Sequence, residues 1–149
     1  MTEVTMALGI LLGLAFHEVV GISPGGVVAP AYLAVFLDQP ARVAGTVVVS
    51  LVTHAVMRLA ALGLLLYGRR KTSLTLAVGF AVRWAWDMLV TGPARDATGA
   101  GLVAIGFIVP GLIAVEMERQ GVARTWAGLL IVAATVRLVL LVMQELGWR

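Results

Sequence analysis

Two stretches of this chain resemble each other, and a proline breaks both. Val28-Ala29-Pro30-Ala31-Tyr32-Leu33-Ala34-Val35 has a counterpart in Ile108-Val109-Pro110-Gly111-Leu112-Ile113-Ala114-Val115. The flanks match as well: Phe36-Leu37-Asp38-Gln39-Pro40-Ala41-Arg42 precedes a long apolar run, and Glu116 to Arg124 precedes another, with one residue inserted. Proline removes a backbone donor and clashes with the preceding helical turn. A proline-broken apolar segment at the same place in each half of a chain is the pattern of a discontinuous membrane helix at a binding or translocation site.

The surroundings are apolar enough to require a membrane. Of the 149 residues, 60% are hydrophobic and 13% charged, with a mean hydropathy of +1.00. Soluble domains average about 45–50% apolar and about 25% charged residues. So short a chain has no water-soluble core large enough to hide this apolar surface. Cysteine is absent, which excludes disulfides and thiolate metal sites. The net charge of +3 and the pI of about 10.2 come mainly from loop and intramembrane arginines. They report topology and an anionic partner rather than nucleic acid.

Taken in order, Val4 to Ile22 is a retained first span with no cleavage site after it, and Ser23-Pro24-Gly25-Gly26 breaks it. Val27 to Leu37 is too short to cross a hydrocarbon core, which takes about 20 helical residues. Val43 to Tyr67 reaches roughly 37 Å at about 1.5 Å per residue and is the clearest span. Gly68-Arg69-Arg70-Lys71 closes it as a basic loop, placed in the cytoplasm by the positive-inside rule. Thr72 to Val90 is the next span, Thr91 to Gly99 a polar loop, Ala100 to Val115 the second broken segment, and Thr125 to Met143 the last full span. Trp148 suits an interfacial anchor. The expected fold is therefore an all-α polytopic membrane protein forming a single domain over residues 1–149. An internal two-fold repeat covers about 4–67 and 72–143, each half reading full span, broken short segment, full span. If the short segments dip in and return, the halves are parallel repeats; if they cross, the repeats are inverted. Charge asymmetry favours crossing, and segment length favours re-entry.

Ionisable residues inside spans cost a few kcal/mol and usually face the protein interior or an aqueous path. Arg83 and Asp87 are four apart on one helix and can neutralise each other. His54 and Arg58 also share a helical face but cannot, which leaves Glu18 as a candidate partner for Arg58. Arg137 occupies the matching place in the second half, in Thr135-Val136-Arg137-Leu138 against Val56-Met57-Arg58-Leu59. Arginine offers a planar fork that carboxylates match, so Arg58, Arg137, Arg83 and His54, with Pro30, Pro110 and Gly111 at the breaks, are the candidate carboxylate path. The competing reading is structural: each arginine binds carbonyls freed at the proline breaks. Arg69, Arg70 and Lys71 are candidates for contact with a partner protein or with anionic lipid headgroups. His17 and His54 have no metal-ligand spacing, and no phosphate-binding Gly-rich loop or Ser/His/Asp order is present.

Several stretches come in a telling order: Gly21 to Leu33, Asp38-Gln39-Pro40, Tyr67-Gly68-Arg69-Arg70-Lys71, Gly106 to Ala114, and Gln120-Gly121. The series resembles the PgsC/CapC membrane subunits of poly-γ-glutamate synthase over nearly the whole chain. The resemblance implies a place in the bacterial cell membrane and a role in making and exporting a γ-linked glutamate polymer. It also implies a Mur-ligase-like, PgsB/CapB-type ATPase partner that carries the ATP and magnesium, further membrane subunits, and no cofactor or catalytic residue on this chain. A single copy is thin for a pore, so an oligomer or complex is expected. Two other functions fit the same residues: a stand-alone secondary transporter for a small carboxylate, and a purely structural anchor for the ligase.

Overall fold

The computed structural model describes residues 2–26, 28–63, 68–91, 106 and 108–147. Its helices are α1 (Thr2–Val20), α2 (Ala29–Phe36), α3 (Pro40–Gly63), α4 (Arg69–Trp86), α5 (Val109–Gln120) and α6 (Val122–Glu145). A π-helical turn, Asp87–Thr91, extends α4, and there is no strand among the described residues. Among the described residues, three helices are long and apolar enough to cross a membrane: Glu3–Val20, Pro40–Gly63 and Val122–Glu145. Their outer faces carry exposed Leu11, Val19, Leu59, Leu62, Leu138 and Leu141, an apolar surface that lipid rather than water would cover.

The short helices start where the prolines fall. Pro30 and Pro110 occupy the first turns of α2 and α5, where a missing N–H costs nothing. The first bonds of the two helices correspond: Tyr32 N–H donates to Val28 O at 3.2 Å, and Leu112 N–H donates to Ile108 O at 3.0 Å. Before α2, Gly25 and Gly26 take φ of +74° and +88°, a left-handed turn that only glycine adopts without strain.

Several boundaries differ from the sequence reading, two of them with consequences for the site. Arg69, Arg70 and Lys71 form the first turn of α4 rather than a loop, because the chain reverses at Gly68 (φ +64°). That brings three further cations into α4, and it is not among the helices apolar enough to cross a membrane. The second short helix runs on to Gln120, so the charged stretch after Val115 is helical, and Gly121 (φ +94°) alone separates it from α6. The polar loop after Thr91, the first residues of the second broken segment, Tyr67 and Trp148 lie outside the described residues.

Packing follows small residues. α1 pairs with α2, and both lie on α6; α4 pairs with α5, and both lie on α3. A Cβ on Gly9 would stand 2.4 Å from Ala31 Cα, and one on Gly79 would stand 2.8 Å from Gly111 Cα. Small residues that let backbones approach are how helices associate in lipid, where apolar burial gives no preference for protein over solvent. α2, α5 and α6 enclose the core of Leu33, Ala34, Ile113, Met117, Leu129 and Val136. Thr46, Thr53, Thr75 and Thr125 are buried, and each donates its hydroxyl to the carbonyl four residues back. They are thereby satisfied within their own helices.

These contacts fix two ends. Thr5, Ala34, Arg137 and Gln144 surround one small hollow, and Asp38 reaches Arg137 there. At the other end, Ser23, Gln120 and Thr125 meet, and Lys71 meets Glu118. α2 leads from the break after α1 toward the Asp38 end. α5 leads from Gly111, opposite Gly79, toward the Glu118 end. The two short helices thus run toward opposite ends of the molecule.

Candidate functional site: a carboxylate held between three helices

A helix N-terminus carries partial positive charge, so the Arg69-Arg70-Lys71 turn is electrostatically unfavourable and needs an external anion. Glu118, on the last turn of α5, supplies it. Its Oε2 lies 2.6 Å from Lys71 Nζ, and its Oε1 lies 2.9 Å from His54 Nδ1 on α3. One carboxylate therefore ties three helices together. Glu118 and His54 expose only 11% and 14% of their side chains, whereas Lys71 exposes 33%. The cationic member faces outward and the acid lies behind it.

Two hollows of about 400 Å³ each open on either side of this end of α5. Arg69, Lys71, Thr75, Glu118 and Arg119 line the first. His17, Ser23, Glu116, Arg119 and Gln120 line the second. Arg119 therefore borders both. It is 73% exposed and loosely held, 3.4 Å from Glu116 on the preceding turn. Gln120 closes the back of the second hollow. Its Oε1 accepts from Ser23 N–H at 2.9 Å, and its Nε2 donates to Ser23 O and, at 3.0 Å, to Thr125 Oγ1. Ser23 Oγ in turn accepts from Gly26 N–H at 3.2 Å. The break between α1 and α2 is thus fastened to the corner between α5 and α6.

The residues singled out by sequence do not converge on one site. His54 is in the Glu118 cluster. Lys71 and Arg69 border the first hollow, and Arg70 is exposed beside them. Arg58 is on the exposed face of α3 with no ion pair or hydrogen bond among the described residues. Glu18 does not reach it, because α1 and α3 do not touch. Arg137 pairs with Asp38 at 2.5 Å, both partly exposed, at the other end of the molecule. Arg83 is buried and pairs with Asp87 along α4. Pro30, Pro110 and Gly111 are buried in helix packing, with Gly111 against Leu76 and Gly79. Among the described residues, no group of His, Asp and Glu is arranged to hold a metal.

Sequence reasoning passed over Glu118, Arg119, Gln120 and Asp38. A signal for the two acids was present: Asp38 and Glu118 each stand eight positions after their prolines (38 − 30 and 118 − 110). Each pairs with a cation from another part of the chain.

The fold and the site define a small helical protein with membrane-length helices, two opposed half-length helices and a cation-bordered hollow around a partly buried acid. The capsule biosynthesis CapC family matches residues 8–126, and the chain belongs to that family. It is 36% identical over 131 residues to the PGA biosynthesis protein CapC of Bacillus subtilis (strain 168), covering 87% of each chain. It is 35% identical over 123 residues to the capsule biosynthesis protein CapC of Bacillus anthracis, covering 82% of this chain and 81% of that one. No solved structure matches.

Proposed function

We propose that this chain is the multi-pass membrane subunit of a poly-γ-glutamate capsule synthase in the bacterial cell membrane. It seats an ATP-dependent amide ligase at the membrane face and gives the anionic product a cation-lined way in. Membership of the CapC family and the names of its two Bacillus relatives support the polymer class. The observation that carries the role is the hollow bordered by Arg69, Lys71 and Arg119 around Glu118. It offers exposed positive charge where a polycarboxylate would arrive, backed by an enclosed acid that one lysine neutralises. Arg69, Arg70, Lys71, Arg119 and Arg124 gather at this end, which the positive-inside rule assigns to the cytoplasm, where the ligase works. In this reading ATP and magnesium belong to the ligase. On the same reading α1, α3 and α6 cross the membrane, and α2 and α5 lie between them. Arg58, on the outer face of α3 and without an ion pair among the described residues, is a contact for a further membrane subunit or a second copy.

The test is complementation of a strain lacking its own copy. The triple replacement of Arg69, Arg70 and Lys71 by Gln is expected to reach the membrane at normal abundance yet leave the surface without polymer. Normal surface polymer from that variant would overturn the assignment.

One observation favours a second reading. Two half-length helices that run toward opposite ends from buried proline starts are a transporter arrangement. Uptake of labelled glutamate into liposomes containing the purified chain alone would favour a carboxylate transporter over a synthase subunit.

A further inference from the structure

We propose that the Lys71 hollow is a carboxylate-binding site in which Glu118 holds the ligand's place, and that an entering carboxylate is taken up together with one proton on His54. The ligand class rests on the polymer reading above; the displacement and the proton rest on the geometry.

The charges around the hollow do not balance. Arg69, Lys71 and Arg119 border it, against the single carboxylate of Glu118, while Glu116 lies to the far side of Arg119. About 400 Å³ is within the range of small-ligand sites, about 300–1,000 Å³. The cations are the accessible members and the acid is the enclosed one. A carboxylate arriving from water therefore meets Arg119 and Arg69 first and Lys71 next, before it meets Glu118.

The two oxygens of Glu118 have different partners, and this makes exchange possible. Oε2 is on Lys71 and Oε1 is on His54. When the Lys71 ammonium turns to the incoming carboxylate, Glu118 loses its one permanent counter-ion. An enclosed carboxylate without a cation is costly, and among the described residues His54 is the other group in contact with it that can become one. The imidazole takes up one proton from bulk solvent, and the imidazolium faces Oε1 through Nδ1. One negative charge and one proton enter together, no covalent bond changes, and the net charge of the cluster is preserved. The charged groups around His54 and Glu118 are Lys71 and Arg69 from α4 and Arg119 from α5 itself. On α3, Arg58 is one turn further along and exposed.

The test measures binding of a fluorescent γ-linked glutamate oligomer to the full chain in phosphatidylcholine nanodiscs, at about pH 5.5 and about pH 8, either side of the range where imidazoles titrate. Binding is expected to be tighter at the lower pH by roughly tenfold, one linked proton setting the ceiling on the slope. His54→Gln is expected to abolish the pH response, and Lys71→Gln to weaken binding about tenfold, the loss of one charge-assisted contact. Glu118→Gln separates the proposal from a structural role: with the internal competitor gone, binding at the higher pH tightens and the pH response disappears. Thermal unfolding of each variant checks its fold, and if Glu118→Gln does not fold, the His54→Gln arm decides alone. A wild-type pH response in His54→Gln overturns the proposal, as does weaker binding by a folded Glu118→Gln. Displacement of the oligomer by added phosphatidylglycerol assigns the site to lipid headgroups and also overturns it. Binding without any pH response sinks the proton step and leaves the polymer reading intact; no binding at either pH sinks both.

Discussion

Replacing Gly79 by Ala tests the packing that sets the distance between Lys71 and Glu118. The new Cβ would stand 2.8 Å from Gly111 Cα and 3.2 Å from Gly111 N. Carbon atoms in contact normally keep about 3.5–4.0 Å, so α4 and α5 must part by about 1 Å. The obstacle is backbone and has no rotamer to escape into. Overpacking of this kind costs about 1–3 kcal/mol. The same movement would lengthen the 2.6 Å contact between Lys71 and Glu118 to roughly the limit of an ion pair, so the variant should also bind carboxylate more weakly. Gly63→Ala is the matched control. It is a helical glycine with nothing within 4 Å of its would-be Cβ, and alanine is the better helix former by about 1 kcal/mol. Thermal unfolding in nanodiscs should rank Gly63→Ala at or above wild type and Gly79→Ala clearly below it. Equal midpoints for Gly79→Ala and wild type would refute the claim that this glycine pair sets the helix spacing.

Gly9→Ala is expected to destabilise more than Gly79→Ala, toward the upper end of about 1–3 kcal/mol, because its Cβ would stand 2.4 Å from both Ala31 Cα and Ala31 Cβ; the same unfolding assay ranks the two. Gln120→Leu removes three hydrogen bonds to Ser23 and Thr125, worth about 1 kcal/mol each, and leaves Ser23 N–H and O unpaired. Faster proteolysis within residues 21–26, along with a lower unfolding midpoint, is the expected result. Arg137→Gln breaks a half-exposed pair with Asp38 and should cost less than about 1 kcal/mol. Arg58→Gln should leave stability unchanged while weakening association with a membrane partner, read by co-purification.

The proline segments were legible from sequence because two local facts sufficed: a residue that cannot continue a helix, and an apolar run too short to cross. The long helices were legible for the same reason. The start of α4 was not, because three basic residues at a helix N-terminus contradict the dipole rule. They are tolerated there because Glu118, far along the chain, neutralises one of them. The pairing of His54 with Glu118 was likewise invisible, since α3 and α5, far apart in the chain, meet only in the packed fold. Matching Arg58 with Arg137 captured a true likeness of sequence and did not extend to environment. Burial is decided by which neighbour covers a face, and none of the described residues covers Arg58.

The two acids show why matched positions can differ in use. Asp38 and its partner Arg137 expose 64% and 36% of their side chains, so water screens them and the pair contributes at most about 1 kcal/mol. Glu118, at the matching distance from its own proline, exposes 11% and answers to two bases on two other helices. Screening is weaker there, and the three side chains are held by one another. A perturbation at Asp38 should therefore be absorbed locally, whereas one at Lys71 or His54 must be answered by Glu118. The stretch that matches the CapC family, residues 8–126, contains His54, Lys71, Glu118, Arg119 and Gln120 and stops before Arg137. A functional search should begin at Glu118.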